Sequence, residues 1–190
     1  MNFYLNMAST YATSTHGMTL VETLTVVAIV SIVLSIAAPS FRQWQENWEV
    51  MRITQSLEST LMLARSEAIR QGGRIGLRKN NSSTSCGNAD TNQEWGCGWF
   101  IYADLDGNGS WKSSEPKLHD IQLSGNVNVM HTSGGINIKF DRYGMASGLN
   151  AKGFTLSPAR TGISSTATRT LCMSSGGRIR IVQDASCPKS

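Results

Sequence analysis

The sequence predicts an α+β fold in which one long N-terminal helix is followed by an antiparallel, β-rich head. Three observations predict it. An apolar run lies near the N-terminus, apolar residues then recur at steps of three or four, and short β-type runs alternate with Gly, Asn and Ser turns from Arg74 onward. A length of 190 residues fits one domain with an appendage.

The apolar run is long enough to cross a membrane. Thr23 to Ala38 carries no charge, and extension back to Met18 adds Glu22 as the single charged residue. A bilayer-spanning helix needs about 20 apolar residues, so residues 18–39 are predicted to form a transmembrane and assembly helix. A secretory signal starts with basic residues, which the first 17 residues lack. An ordinary signal anchor remains the alternative.

The next stretch, residues 40–72, has the period of an amphipathic helix. Its predicted polar side carries Arg42, Glu46 and Glu49, and the Gly72–Gly73 pair ends the helix. We expect this half of the helix to pack on the head through one apolar face. That face comprises Phe41, Trp44, Trp48, Met51, Leu57, Leu61, Ala64 and Ala68.

The head, residues 73–190, shows no second helix of convincing period. Trp95, Trp99 and Trp111 are its largest candidate core side chains. We predict strands near residues 74–78, 98–103, 117–123, 126–131, 136–140, 153–157, 169–173 and 178–182.

Residues 16–22, HGMTLVE, resemble the class III signal of type IV pilins and pseudopilins. The resemblance implies that residues 1–17 are a leader, that a prepilin peptidase cuts after Gly17, and that the new Met18 amine is methylated. Glu22 is then the fifth mature residue, where a buried carboxylate needs a cation such as the Met18 amine of a neighbouring subunit. The alternative for Glu22 is an acid at a helix start, which is favourable to the helix dipole.

Further segments resemble the GspH/FimT/FimU group of minor pilins and pseudopilins. They are residues 63–70 at the helix end, 95–104 with the acidic turn after it, 138–144 and 153–156. The resemblance implies a single-pass protein of the bacterial inner membrane with a periplasmic head. It also implies incorporation into a pilus or pseudopilus, with major and minor pilins, the prepilin peptidase and the inner-membrane assembly platform as partners.

The acidic turn has the spacing of an EF-hand calcium loop. Asp104, Asp106, Asn108 and Glu115 fit the pattern, with Gly109 at its glycine position. A β-type run precedes the motif and a proline follows it, whereas an EF-hand needs flanking helices. We therefore expect a hairpin turn, with a Ca²⁺ site as the alternative, and no cofactor.

Four cysteines, Cys86, Cys97, Cys172 and Cys187, permit three disulfide pairings. Sequence proximity favours Cys86–Cys97 and Cys172–Cys187. An even number of cysteines beyond an N-terminal anchor fits an oxidising periplasm. Reduced thiols with a catalytic role are the alternative, although no His lies in a recognisable Cys/His motif.

The C-terminal part of the head is basic. Residues 125–190 contain eight Lys and Arg residues and two acidic residues. Arg169 and Lys189 are among the basic ones. Within it, residues 177–180, GRIR, resemble the G-R-x-R motif that FimT-type minor pilins use to bind DNA in natural transformation. In a strand, Arg178 and Arg180 would share a face about 7 Å apart, with the isoleucines after them facing the core. The alternative is a solvated edge strand whose arginines deter aggregation.

The functional prediction is a minor pilin that binds DNA non-specifically, as FimT-type proteins do. A FimU-like priming subunit at the pilus tip without DNA binding is one alternative, and a GspH pseudopilin of type II protein secretion is another. The sequence shows no nucleophile–base pair, phosphate loop or metal cluster typical of an enzyme. We therefore expect no catalytic activity.

Overall fold

A computed structural model of the chain describes residues 17–81, 86, 89–147, 152–174 and 176–188. The predicted leader up to residue 16 and Lys189 lie outside these residues. The chain divides into two compact units, one ending at Phe41 and the other beginning at Arg42. Helix α1, Leu20–Gln71, contributes to both units.

In the first unit α1 begins with a capped turn. The Thr19 hydroxyl oxygen accepts a hydrogen bond from the Glu22 backbone N–H at 3.2 Å, which satisfies one of the free donors of the helix start. Along the described part of the chain no single helix is long and apolar enough to cross a membrane. Leu20–Ile36 and Ser40–Gln71 meet that criterion of length and composition when taken as a bent pair.

In the second unit α1 ends where the glycine pair predicts. Gly72 and Gly73 have φ angles of 71° and 98°, in the left-handed region that favours glycine. The Gly73 N–H donates to the Ala68 carbonyl at 2.7 Å, which closes the helix end and satisfies one of its last carbonyls.

The face of α1 that packs on the head differs in part from the predicted face. Leu57, Leu61, Ala64 and Ala68 are buried as predicted, but Phe41, Trp44, Trp48 and Met51 are 48–58% exposed. The prediction was wrong for these four because the period breaks between residues 51 and 57, and the buried stripe continues towards the N-terminus through other positions. Those positions are Val50, Ile53 and Thr54.

Nine strands form two antiparallel sheets in the described part of the head. Five strands make the first sheet in the order β3-β2-β1-β5-β6, and four make the second in the order β4-β7-β8-β9. The strands are β1 Ile75–Lys79, β2 Gly98–Ala103, β3 Lys117–Gln122, β4 Val127–His131, β5 Asn137–Phe140, β6 Ala146–Ser147, β7 Lys152–Pro158, β8 Arg169–Met173 and β9 Ile179–Val182.

The core joins α1 to both sheets. The Trp99 indole N–H donates to the Thr60 hydroxyl at 3.2 Å, with both side chains buried, so a polar contact fixes the helix against β2. Trp95 is fully buried and its N–H donates to the Gly135 carbonyl at 3.1 Å. Trp111, expected as a third core side chain, is half-buried and packs edge-on against Phe100. The α+β prediction is confirmed.

Candidate functional site

The predicted arginine pair lies at an edge of the second sheet. β9 is the last strand of that sheet and pairs only with β8 among the described strands, with Arg180 opposite Cys172. Arg178 comes directly before β9, in the turn from β8. Because this turn and strand stand at the sheet edge, both arginine side chains are exposed.

The turn before β9 is tightly held. The Gly177 N–H donates to the Ser174 carbonyl at 2.9 Å, and the Ser174 N–H donates to the Arg178 carbonyl at 3.0 Å. From α1, the Arg65 guanidinium donates to the Gly177 carbonyl at 3.0 Å. Gly177 has φ 79°, and a Cβ there would lie 2.5 Å from Arg65 Nη1. The left-handed backbone angle therefore favours glycine at this position, and a side chain there would also have to displace the Arg65 guanidinium.

Arg65 also contacts a second turn. Gly144, in the turn between β5 and β6, has φ 71°, and a Cβ there would lie 2.6 Å from Arg65 Cγ. Tyr143 beside it is 70% exposed. Arg65 thus packs against both turns, an arrangement that the sequence did not predict, since in the sequence this arginine is one polar residue of an amphipathic helix.

The other predicted DNA-binding residues are placed differently. The Arg169 guanidinium donates to the carbonyls of Thr166 and Thr168, both at 2.9 Å, and its side chain is partly buried. Arg169 therefore serves the loop before β8. Lys189 lies outside the described residues.

The two exposed arginines differ from Arg70, which is paired with Glu67 at 2.5 Å. In the part of the chain that the structure describes, neither Arg178 nor Arg180 forms an ion pair. Ile179, next to them, packs against the core. Ile181 is 38% exposed, so the expectation that it faces the core was wrong, because at an edge strand one side of the residue has no neighbouring strand to cover it.

A disulfide ties the segment after β9 back to β8. Cys172 and Cys187 are bonded, with Cα atoms 5.8 Å apart. Gly153 on β7 lies beneath this bond, since a Cβ there would lie 2.8 Å from the Cys187 sulfur. The Thr155 hydroxyl donates to the Ala185 carbonyl at 3.0 Å and the Thr170 hydroxyl to the Asp184 carbonyl at 2.5 Å. These contacts fasten the chain that follows the arginines.

The second disulfide joins Cys86 and Cys97, with Cα atoms 5.4 Å apart. Both pairings are those that sequence proximity favours, and no described cysteine is free. Nearby, the buried Lys79 donates through Nζ to the carbonyls of Ala89 and Thr91 at 2.6 and 2.5 Å. Burial lowers the pKa of Lys79. The disulfide and this lysine together hold the long connection from β1 to β2.

The acidic loop connects β2 to β3. Asp104, Asp106 and Glu115 each offer one carboxylate oxygen, and these oxygens lie within 4.8 Å of one another. Glu115 accepts backbone N–H groups of Leu105 at 2.9 Å and Lys112 at 2.8 Å. The structure thus brings the three predicted carboxylate ligands together, and the Asn108 side-chain amide donates to Asp106 Oδ2 at 2.7 Å.

The pKa values of two groups in and beside this loop are shifted in opposite directions. A hydrogen bond from Lys112, with the backbone N–H of Asn108, lowers the pKa of Asp106. Burial, reinforced by the Asp104 carboxylate, raises the pKa of Tyr102 to about 12. Asp104 is fully buried, and its Oδ1 accepts no hydrogen bond from any described residue. An unsatisfied buried acceptor of this kind costs about 1–3 kcal/mol.

A helix packed on two antiparallel sheets is also the fold of a solved minor pilin. The type IV minor pilin FimU of Pseudomonas aeruginosa PAO1 is similar to this chain with a TM-score of 0.58 and 22% identity, covering 77% of this chain and 98% of FimU. A second crystal form of FimU has a TM-score of 0.53 and 23% identity to this chain. That match covers 72% of this chain and 94% of FimU. No curated protein sequence matches the chain.

The family follows from the sequence match. Residues 54–177 match the family described as Type II transport protein GspH. Because this match spans more than half of the chain, the protein belongs to the GspH family. The family match and the shared fold together confirm the resemblance to the GspH/FimT/FimU group of minor pilins and pseudopilins.

Proposed function

We propose that this protein is a non-enzymatic pilus subunit that binds DNA through Arg178 and Arg180, in the manner of FimT-type minor pilins. The observation that carries the proposal is the exposure of both guanidinium groups at the edge formed by the turn and β9. Neither is used in an ion pair within the described residues, so both can contact phosphates. Such contacts give binding that is independent of sequence and weakened by salt.

The surroundings of the arginine pair support this proposal. The turn is fixed by Arg65 on one side, and the chain after β9 is fixed by the Cys172–Cys187 disulfide on the other. A backbone that is fixed on both sides loses less conformational entropy on binding than a loose segment would. Tyr143, exposed on the other turn that Arg65 contacts, offers an aromatic surface for an unpaired base.

The same proposal includes assembly into a filament. Cleavage after Gly17 would leave Met18 as the first residue of the mature chain. Glu22 lies in the first turn of α1, and no described residue of this chain is an ion-pair partner of its carboxylate. A cation from a neighbouring pilin, the Met18 amine, would neutralise it there. We propose the inner membrane, with the head in the periplasm, as the location before assembly.

The DNA-binding proposal is tested by a gel-shift titration at low salt with the full chain in detergent. We expect the double variant Arg178→Gln/Arg180→Gln to bind at least about tenfold more weakly. Its salt slope should fall by about 2, close to 0.9 for each lost phosphate contact. The matched control is Arg70→Gln/Arg160→Gln, which removes the same charge from the end of α1 and from the loop after β7. It should bind like the unaltered chain.

Two outcomes contradict DNA binding by this edge. In one, the Arg178/Arg180 variant and the unaltered chain bind with equal affinity. In the other, both double variants lose the same affinity, so that net charge alone accounts for the effect. Either result leaves a structural role in assembly, as in the FimU-like or GspH pseudopilin alternatives.

A further inference from the structure

The acidic loop between β2 and β3 has no part in the proposed DNA binding. It gathers oxygen atoms from Asp104, Asp106 and Glu115 within 4.8 Å of one another. Asp104 is fully buried and Glu115 is 6% exposed. Two buried carboxylates next to a third place concentrated negative charge in a region of low dielectric, where it attracts a cation.

One buried oxygen in this cluster lacks a partner. Asp104 Oδ2 accepts the Gly109 N–H at 2.8 Å and lies 3.5 Å from Lys139 Nζ. Asp104 Oδ1 is equally buried but accepts no hydrogen bond from the described residues. Buried polar atoms nearly always have a partner, and one that lacks it calls for a water or an ion. This observation is independent of the clustering of the three acids.

The type of donor selects the cation. Asp104, Asp106 and Asn108 supply oxygens at alternate positions, Glu115 closes the loop eleven residues after its start, and Gly109 turns the chain with φ 78°. Carboxylate and amide oxygens at these spacings suit Ca²⁺, whereas Mg²⁺ needs stricter octahedral geometry and keeps more of its water. We propose that these four residues bind Ca²⁺ in a hairpin loop, without the helices that flank an EF-hand.

Two lysines bear on the affinity of this site. Lys112 Nζ is hydrogen-bonded to Asp106 Oδ2 in an exposed ion pair, and Lys139 Nζ donates to the Gly107 carbonyl at 2.6 Å beside Asp104. An exposed ion pair is worth little, so Ca²⁺ can displace Lys112 at small cost. Because these cations compete, we expect a dissociation constant of about 10⁻⁴ to 10⁻³ M, the range of extracellular calcium modules.

Trp111 provides a spectroscopic probe for this site. Its indole N–H donates to the Glu115 carbonyl at 3.1 Å, so its ring lies beside the loop. Tb³⁺ bound in place of Ca²⁺ would be excited through this ring. We therefore propose a luminescence titration of the full chain in detergent with Tb³⁺, followed by displacement with Ca²⁺ and by calorimetry with Ca²⁺ alone.

Substitutions in the loop should change the Ca²⁺ affinity in predictable directions. Asp104→Asn and Asp106→Asn should each weaken Ca²⁺ binding at least about tenfold, since each removes a charged ligand of the loop. Lys112→Gln should tighten it by removing the competing cation. The control Asp120→Asn alters a carboxylate that pairs with Lys117 outside the cluster, and it should bind like the unaltered chain.

The result is readable even if one variant folds poorly. Near-UV circular dichroism identifies a misfolded Asp104→Asn protein, and the more exposed Asp106 then carries the test. The proposal is overturned if calorimetry shows no binding at millimolar Ca²⁺. It is also overturned if the folded loop variants bind as tightly as the Asp120→Asn control, or if Mg²⁺ displaces Tb³⁺ as well as Ca²⁺ does. None of these outcomes bears on DNA binding by the arginine pair.

Discussion

The packing face of α1 makes a quantitative prediction about two side chains that the helical period alone assigns to one face. Leu57 is fully buried between α1 and the sheets, whereas Trp48 is 58% exposed. Replacing a buried Leu by Ala removes its contacts and leaves a cavity, at a cost of about 3 kcal/mol. For a protein of this size about 2–4 °C is lost per kcal/mol, so Leu57→Ala should lower the Tm by about 6–12 °C.

The matched change is Trp48→Ala, which removes a larger side chain from the exposed part of the helix. It loses the contact with the Trp44 ring, whose centroid is 6.3 Å away, and such ring pairs contribute about 1 kcal/mol. We expect a fall in Tm of less than about 4 °C. Thermal unfolding of both variants in detergent, followed by near-UV circular dichroism, makes the comparison. Equal losses, or a larger loss for Trp48→Ala, would refute the assignment of the buried face.

Two further predictions concern a titration and assembly. Since burial raises the pKa of Tyr102 to about 12 from 10.0, the folded protein keeps a proton there that the unfolded chain loses, and its stability should decrease as the pH rises from 10 to 12. Ultraviolet titration should show one late phenol that Tyr102→Phe abolishes, and a single step for all tyrosines would contradict this. Glu22→Ala should reach the membrane in normal amount yet be depleted from sheared filaments, and normal incorporation would contradict the proposed pairing of Glu22.

The strands were predictable because the head follows simple local rules. β2 and β8 coincide with the predicted runs 98–103 and 169–173, and the other predicted strands lie within about two residues of those observed. Short β-type runs bounded by Gly, Asn and Ser predict strands from the local sequence alone. The two-residue β6 was missed, since a strand that short has no period to detect.

The packing face of α1 was predictable only in its C-terminal part, from Leu57 to Ala68. Periodicity identifies an apolar stripe but not which part of it meets the sheets, and the helix here has two apolar stripes with a break between them. The stripe that packs on the head continues through Val50 and Thr54, a threonine whose hydroxyl donates to the Val50 carbonyl at 2.7 Å. A buried threonine satisfied by its own helix is not distinguishable in the sequence from a polar one on the surface.

In the G-R-x-R segment, the glycine and the arginines have different reasons for being there. Its glycine is explained by the fold alone, since the turn has a left-handed backbone angle and the Arg65 guanidinium lies where a Cβ would be. Substituting Gly177 would therefore disturb binding through the turn, whatever the ligand. Arg178 and Arg180 have no such explanation, because they are exposed and support no described element of the core. In the proposed function the two arginines are therefore the ligand-contacting part of the motif, and only their replacement, with the glycine kept, would test DNA binding separately from the folding of the edge.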